Sequence, residues 1–450
     1  MSPRIAVVGG GITGLLAAYR SQQNGYAVTV FEASDRPGGK LRSSEVGGIR
    51  VEEGADAFLP RDAMPLDLLR ELGIEKTRSP AVFGAFIWHE GALKRLPPGS
   101  PYGIPRVPSE ARSTGLLSFM GRLRAEIERF NRSPLSGPDI SVGSFVRSRF
   151  GNEVLNNLVD PLLAGVRGGI ADEMSLGAAA REIDALARQH KSVLRALRAQ
   201  EVVEPQFLAP EDGIEHVTDA LAARLDDLRL KAPAERLEVD GSTMTLVHEE
   251  AERFDGFVLA CPPAVSAKLL ADAAPAAAEE LSSITYASLA VVTLVYPPGT
   301  YEVPDDGSGF LVPSGTDLTI SACTWYSTKW PHITSDGRQV VRCVVGRAGA
   351  GESLGVRDDD LVAKVDRDIQ VTMKATAPPL SSRVVRWDRA IPQYRVGHLD
   401  LVRSIEQRLL DVGPIVLAGA GYRGSGIPDC IAQAEAASRA LAGLIPVGSG

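Results

Sequence analysis

Hydrophobic positions change period several times along the chain, and each change predicts an element. A β-branched run over 4–8 fits one buried parallel strand. It runs into Gly9-Gly10-Gly11-Ile12-Thr13-Gly14, after which 15–24 turns helical and Gly25 supplies the stop. Residues 27–31 read as a second strand that ends on Glu32. Residues 62–73 predict an amphipathic helix closed by Gly73, and 82–88 with 92–96 predict a hairpin around Glu90-Gly91. A stretch rich in Pro and Gly, 96–108, reads as an irregular border.

From 113 to about 200 the pattern is almost wholly helical. Leu116, Leu117, Met120, Leu123, Ile127 and Phe130 form one apolar stripe with Arg and Glu opposite, which predicts a core-facing helix. Further helices are expected over 141–150, 153–166 and 178–199, the last with a basic face that makes contact with a membrane surface an option. Residues 209–221 predict a turn into a helix, and 229–259 short alternating strands. Four strands of a mixed or antiparallel sheet are expected at 287–296, 309–312, 318–325 and 339–346. A helix over 358–373, a strand at 383–387, a strand entering a glycine turn over 415–421 and a helix from about 429 to 444 complete the chain.

Composition narrows the classes. At 450 residues the chain can bury a large core and divide into two or three domains. A net charge of −8 argues against a general nucleic-acid binder, and a polyanionic substrate would need a local basic lining. Four cysteines, Cys261, Cys323, Cys343 and Cys430, lie far apart without C-x-x-C spacing and read as reduced thiols of a cytoplasmic protein. The six histidines show no metal-ligand spacing, so no metal is expected. There is no apolar run long enough to span a bilayer and no signal-like segment before the first strand.

The candidate chemistry starts in the first thirty-two residues. Strand, Gly-x-Gly-x-x-Gly turn, helix, strand and terminal acid are the order of a dinucleotide-binding βαβ unit. Gly9 permits the tight turn, Gly11 leaves room for a pyrophosphate, and Gly14 lets helix and strand approach. The diphosphate would sit on free N–H groups at the positive end of the helix dipole. Glu32 can accept hydrogen bonds from both ribose hydroxyls.

The continuation from Glu32 and Ala33 through Gly38-Gly39-Lys40 resembles the flavin amine oxidase superfamily, where such a turn wraps the FAD diphosphate. Residues 52–58, with Gly54, Ala55, Asp56 and Ala57, resemble the segment that passes beside the isoalloxazine ring in that superfamily. Residues 158–176, 387–399 and 419–431 resemble segments of the protoporphyrinogen and coproporphyrinogen oxidases. Pro392-Gln393-Tyr394-x-Val396-Gly397-His398 and Tyr422-Arg423-Gly424-x-Gly426-Ile427-Pro428-Asp429-Cys430-Ile431 look most like the bacterial coproporphyrinogen III oxidases of Gram-positive type. Glu211-Asp212-Gly213 departs from the family's usual Gly-Gly pair, a change the turn can tolerate.

The resemblance implies an α/β fold with a Rossmann-like FAD-binding domain of the amine oxidase/p-hydroxybenzoate hydroxylase type, a mixed-sheet substrate domain and a helical domain. The expected borders are 1–61 with 207–272 and 384–446 for FAD, 62–96 with 273–383 for substrate, and 97–206 for the helices. Cofactor contacts are implied at Gly9, Gly10, Gly11, Ile12, Thr13, Gly14, Glu32, Ala33, Gly38, Gly39, Lys40, Gly54, Ala55, Asp56, Ala57, Trp387, Gly426, Ile427 and Pro428. Asp429 is expected to N-cap the last helix. The implied reaction moves hydride from a porphyrinogen methylene bridge to flavin N5, with dioxygen giving hydrogen peroxide, so no protein nucleophile is expected. Substrate propionates call for arginines, with Arg61, Arg167 and Arg395 as candidates. Tyr394 and His398 are expected to pack beside Trp387 or, as the alternative, to line the cavity. Coproporphyrinogen III and protoporphyrinogen IX remain rival substrates at this point. An amine oxidase or carotenoid desaturase on the same scaffold, or a pure porphyrin carrier serving a ferrochelatase, are the other readings.

Overall fold

A computed structural model describes residues 2–201, 206–241, 243–349 and 354–446. Five parallel strands form the first sheet, in the order Ile415–Leu417, Gly256–Leu259, Arg4–Val8, Ala27–Phe31, Leu228–Arg229. Alternation along a strand sends successive side chains to opposite faces. Ile5 and Val7 therefore pack with the first helix, Ile12–Gln23, and the last helix, Ile427–Leu444. Ala6 and Val8 pack on the other face with a three-stranded antiparallel sheet that contributes Leu237, Leu246 and Phe254. Both faces are covered, which is why these short strands read as unbroken apolar runs.

The second large sheet has seven strands, in the order Ser381–Pro392, Tyr286–Tyr296, Gln339–Val345, Ile320–Trp325, Gly307–Leu311, Gly84–His89, Ala92–Arg95. Only the pair Gly307–Leu311 with Gly84–His89 is parallel, so the sheet is mixed. The helix Asp358–Met373 lays Leu361, Val365, Ile369 and Met373 on it at helical spacing. The strand Ser381–Pro392 is longer than expected and runs through residue 384, so it links this sheet to the segment that follows.

Between 97 and 201 the described residues form helices and turns. The stretch 178–199 is three helices, not one, because Ser192 caps a new start at Val193 and the chain breaks before Arg181. The stripe read as core-facing divides. Leu116 and Leu117 are buried, whereas Met120, Leu123, Ile127 and Phe130 are exposed. The inward face of the helix Phe119–Glu126 is made of Gly121 and Ala125, followed by buried Glu128. A Cβ at Gly121 would lie 2.3 Å from the Glu153 carboxylate, so a large residue has no room there. Glu128 accepts from the N–H groups of Val193 and Leu194 at 2.9 Å, capping the neighbouring helix. A buried carboxylate reversed the polarity that the pattern implied.

Candidate active site

The glycine turn has the geometry its sequence demands. Gly9 has φ +110°, and a Cβ there would meet the Ala260 backbone at 2.9 Å. A Cβ on Gly14 would lie 1.9 Å from the Gly9 carbonyl oxygen. At Gly11 the same test meets nothing within 4 Å, so open space lies where the first helix begins. That helix has no side-chain cap and no acid in its first turn, which leaves the leading N–H groups of Ile12, Thr13 and Gly14 for that space, while the Leu15 N–H already donates to the Gly11 carbonyl at 2.9 Å. Thr13 contacts the Cys430 thiol, which brings the first turns of the first and last helices together. Two positive helix ends thus converge beside one opening.

Glu32 sits at the tip of the neighbouring strand. Its carboxylate accepts from Gly10 N–H at 2.6 Å and from Ser34 N–H at 2.8 Å, past exposed Ala33. The Gly38 N–H donates to the Gly10 carbonyl at 2.8 Å, so the second glycine pair, with Gly39 at φ +58°, lies against the first turn. Lys40 leaves that turn in another direction. Its ammonium donates to the Ala390 carbonyl and lies 5.7 Å from the Tyr286 ring centre. Crowding by protein lowers its pKa through desolvation, although solvent still reaches the side chain, as expected for a group lining a recess.

The segment 52–58 meets the strand bearing Trp387. The indole N–H of Trp387 donates to the Glu53 carbonyl at 2.9 Å, directly before Gly54 and Ala55. Arg383, on the same strand, binds the buried Glu53 carboxylate at 2.7 Å. The Gly54 carbonyl accepts from Arg342 at 2.6 Å. Asp56 turns its carboxylate to Lys329 at 2.8 Å, to Trp330 at 3.3 Å and to Arg342 at 3.6 Å. Burial alone would raise its pKa, but Lys329 and then Arg342 outweigh burial and hold it below the usual range. Its side chain is committed to protein, which leaves only backbone at Asp56 and half-buried Ala57 for a cofactor.

The C-terminal motif forms the opposite wall. Gly426 is the N-cap of the last helix, so Ile427 and Pro428 open it, and Asp429 stands at the third position. Asp429 does not cap by itself; its carboxylate reaches back to the Gly426 N–H at 3.2 Å. Tyr394 and His398 pair with each other against the glycine turn, and Tyr394 lines the neighbouring cleft. The Tyr394 hydroxyl accepts from Gly424 N–H at 3.1 Å and donates to the Ala420 carbonyl, and its ring stacks on His398 at 4.4 Å. His398 Nε2 bonds the Tyr422 carbonyl at 2.8 Å. The pair fixes the glycine turn.

Of the arginine candidates, two share a neighbourhood. Arg61 faces Glu182 at 3.5 Å and Asp429 at 3.8 Å. Burial first, then a hydrogen bond to Glu182, pushes the Tyr102 pKa up to about 12, while Arg61 and Arg167 both act to lower it. Arg395 instead holds an exposed pair with Glu173 at 3.0 Å. Nothing in the sequence marks Tyr102; only the structure shows its positive φ of +53° in the Pro- and Gly-rich stretch, a conformation a tyrosine rarely adopts. Next to the glycine turn opens a cleft of about 250 Å³ walled by Arg181, Arg403 and Arg423 over Tyr394 and Tyr422. Arg181 also reaches Asp429, which ties this cleft to Arg61. Asp212 lacks a positive φ, so the departure from a Gly-Gly pair carries no backbone strain. Among the described residues no cluster of metal-ligating side chains occurs.

Comparison with known proteins places this geometry. The sequence profile of the flavin containing amine oxidoreductases matches residues 12–442. The chain is 36% identical to the coproporphyrinogen III oxidase of Mycobacterium leprae over 97% of both chains. It is 29% identical to that of Bacillus subtilis over 96% of both. A crystal structure from Exiguobacterium sp. 255-15, provisionally described as a protoporphyrinogen oxidase, superposes with a TM-score of 0.88 at 30% identity, covering 98% of this chain and 99% of that one. The chain belongs to the flavin containing amine oxidoreductases, with FAD as cofactor, in the branch that holds the bacterial coproporphyrinogen III oxidases.

Proposed function

We propose that this protein oxidises coproporphyrinogen III to coproporphyrin III in haem biosynthesis, with dioxygen as acceptor and hydrogen peroxide as co-product. The observation that carries this reading is end-to-end similarity to relatives bearing that name, at up to 36% identity. Bound FAD would supply the two-electron acceptor: three successive removals of a hydride from a methylene bridge and a proton from a pyrrole N–H would turn the porphyrinogen into the porphyrin, with three dioxygen leaving as three hydrogen peroxide.

The protein's share is binding and orientation. In this reading the backbone of Gly9–Gly14 and the first helix end hold the diphosphate, and Glu32 takes the ribose. Gly54–Ala57 and Trp387 would hold the ring system. Gly426, Ile427 and Pro428 open the last helix, whose dipole would favour negative charge on the ring. Lys40 would act from beside Ala390, whose carbonyl anchors its ammonium. Residues 1–61, 207–272 and 384–446 make up the cofactor unit, 62–96 with 273–383 the substrate unit and 97–206 the helical unit.

Arg61 and Arg167 orient substrate carboxylates, and the cleft beside them adds a basic lining of Arg181, Arg403 and Arg423, whose pairs with Asp429, Asp400 and Glu406 a substrate carboxylate would exchange. That lining favours a four-carboxylate substrate over protoporphyrinogen IX. Arg395, paired with Glu173 and not among the residues that line the cleft, is given no part in it. A cytoplasmic setting accords with four unpaired cysteines, all buried. No helix of the described chain is long and apolar enough to cross a membrane. A ferrochelatase is the partner class that would receive the porphyrin.

The test is incubation of the purified holoenzyme with coproporphyrinogen III and, separately, protoporphyrinogen IX, following porphyrin fluorescence and peroxide in air. Faster turnover of coproporphyrinogen is expected. Preference for protoporphyrinogen would move the assignment to that substrate, and oxidation of neither would refute it.

A further inference from the structure

We propose that Glu182 is a placeholder: its carboxylate occupies the seat that Arg61 and Tyr102 offer to a substrate carboxylate, and the arriving substrate displaces it. This rests on the reading that the substrate is a porphyrinogen bearing carboxylates. Distant segments of the chain meet at the seat. Arg61 lies just past the 52–58 segment, and Tyr102 sits in the turn Pro101–Gly103. Arg167 ends the helix Asp160–Arg167, Glu182 stands in the first turn of the helix Arg181–Gln189, and Asp429 in that of the last helix. Arg61 faces Glu182 at 3.5 Å, and the Tyr102 hydroxyl bonds the same carboxylate. Arg61 and Arg167 both act by charge on that hydroxyl. A guanidinium and a phenol converging on one carboxylate are the donors that a propionate needs.

The two acids near Arg61 are held with different firmness. Asp429 lies 3.8 Å from Arg61, but it also reaches back to the Gly426 N–H at 3.2 Å and is bound by Arg181, so it belongs to the last helix. The Glu182 side chain is 54% exposed, and its contacts among the described residues are Arg61 and Tyr102. So open an ion pair is weakly held and readily exchanged. Swapping one carboxylate for another keeps the charge around Arg61 balanced, whereas an uncharged group would break the pair and return nothing. The donor side, by contrast, is fixed. Tyr102 is kept at φ +53° beside Gly103, where a Cβ would lie 2.6 Å from the Leu158 carbonyl oxygen, so close packing of the backbone sets the place of the ring.

Equilibrium binding of coproporphyrin III and of its tetramethyl ester to the flavin-loaded protein tests this, with porphyrin fluorescence anisotropy as the readout. Glu182→Ala should bind coproporphyrin III about three- to tenfold more tightly than wild type, with the ester unchanged. Its KM for coproporphyrinogen III should fall by a similar factor while kcat stays within about twofold. Tyr102→Phe should weaken binding of the tetra-acid more in the Glu182→Ala background than alone, because in wild type the hydroxyl only changes partner. Flavin content and melting temperature of each variant report that it is folded. Unchanged affinity in Glu182→Ala, or an equal gain for the ester, overturns the placeholder and leaves the assigned reaction standing if wild-type turnover persists. A wild-type protein that binds coproporphyrin III no better than the ester overturns both.

Discussion

The indole N–H of Trp387 donates to the backbone carbonyl of Glu53 at 2.9 Å, joining two segments separated by 334 residues in sequence. Trp387→Phe keeps a ring but leaves that carbonyl without its donor. The expected cost is about 1 kcal/mol of stability, the ordinary net worth of one hydrogen bond. Flavin retention should fall with it. Thermal unfolding of the flavin-loaded and flavin-free protein separates the two effects, and a variant equal to wild type in both would remove Trp387 from the site.

Two glycines of one motif should fail in different ways. A methyl at Gly14 collides with the Gly9 carbonyl at 1.9 Å, and the gain of roughly 1 kcal/mol for Ala over Gly in a helix does not offset overpacking of about 1–3 kcal/mol or more. Gly14→Ala should express poorly or melt early. Gly11→Ala adds a methyl to open space at an ordinary φ of −76°, so it should fold normally and bind FAD weakly. Melting temperature set against flavin absorbance per mole of protein distinguishes them.

Asp56 is expected to act on stability before chemistry. Asp56→Ala strands the ammonium of Lys329 and the guanidinium of Arg342, which are 16% and 8% exposed. Breaking a buried pair from one side costs about 3–5 kcal/mol. Denaturant unfolding measures this, and a loss below about 1 kcal/mol would contradict the structural role.

Among the arginines the expected contrast is in KM. Arg61→Ala should raise KM for coproporphyrinogen III by about tenfold, the low end for a charge-assisted hydrogen bond, because Arg61 is 42% exposed. The effect on protoporphyrinogen IX should be smaller, since it carries fewer carboxylates. Arg395→Ala should leave KM within about twofold for either. Steady-state kinetics of both variants on both substrates decides the matter.

His398 makes stability depend on pH. Burial first lowers its folded pKa below the usual 6.5, the bond to the Tyr422 carbonyl opposes this, Arg423 lowers it and Asp139 raises it. Below pH 6.5 the unfolded chain takes up a proton that the folded chain refuses, so this group's contribution falls as pH drops through 6.5 toward the folded pKa. Above 6.5 it is constant. His398→Gln should flatten the fall of the urea midpoint on acidification, and an unchanged slope would exclude His398 as its source.

Much of the site was legible because its causes are local. A glycine turn between strand and helix is dictated by φ and by close approach within a few residues, and Glu32 follows at the strand end for the same reason. The resemblance carried the C-terminal turn and Trp387. What escaped depended on distant partners. Asp56 meets Lys329, Trp330 and Arg342, and Tyr102 meets Arg61, Arg167 and Glu182, pairings that no spacing encodes.

The amino-acid sequence determined the βαβ unit, the parallel sheet's apolar strands and the flavin family, since periodicity and backbone freedom act within one or two turns of chain. The tertiary structure decided which side chains face inward. The stripe from Met120 to Phe130 has a core-like period, yet it lies outside because Gly121, Ala125 and Glu128 fill the inner face. A buried carboxylate is stable there only because the N–H groups of Val193 and Leu194 wait for it, and those arrive from another helix.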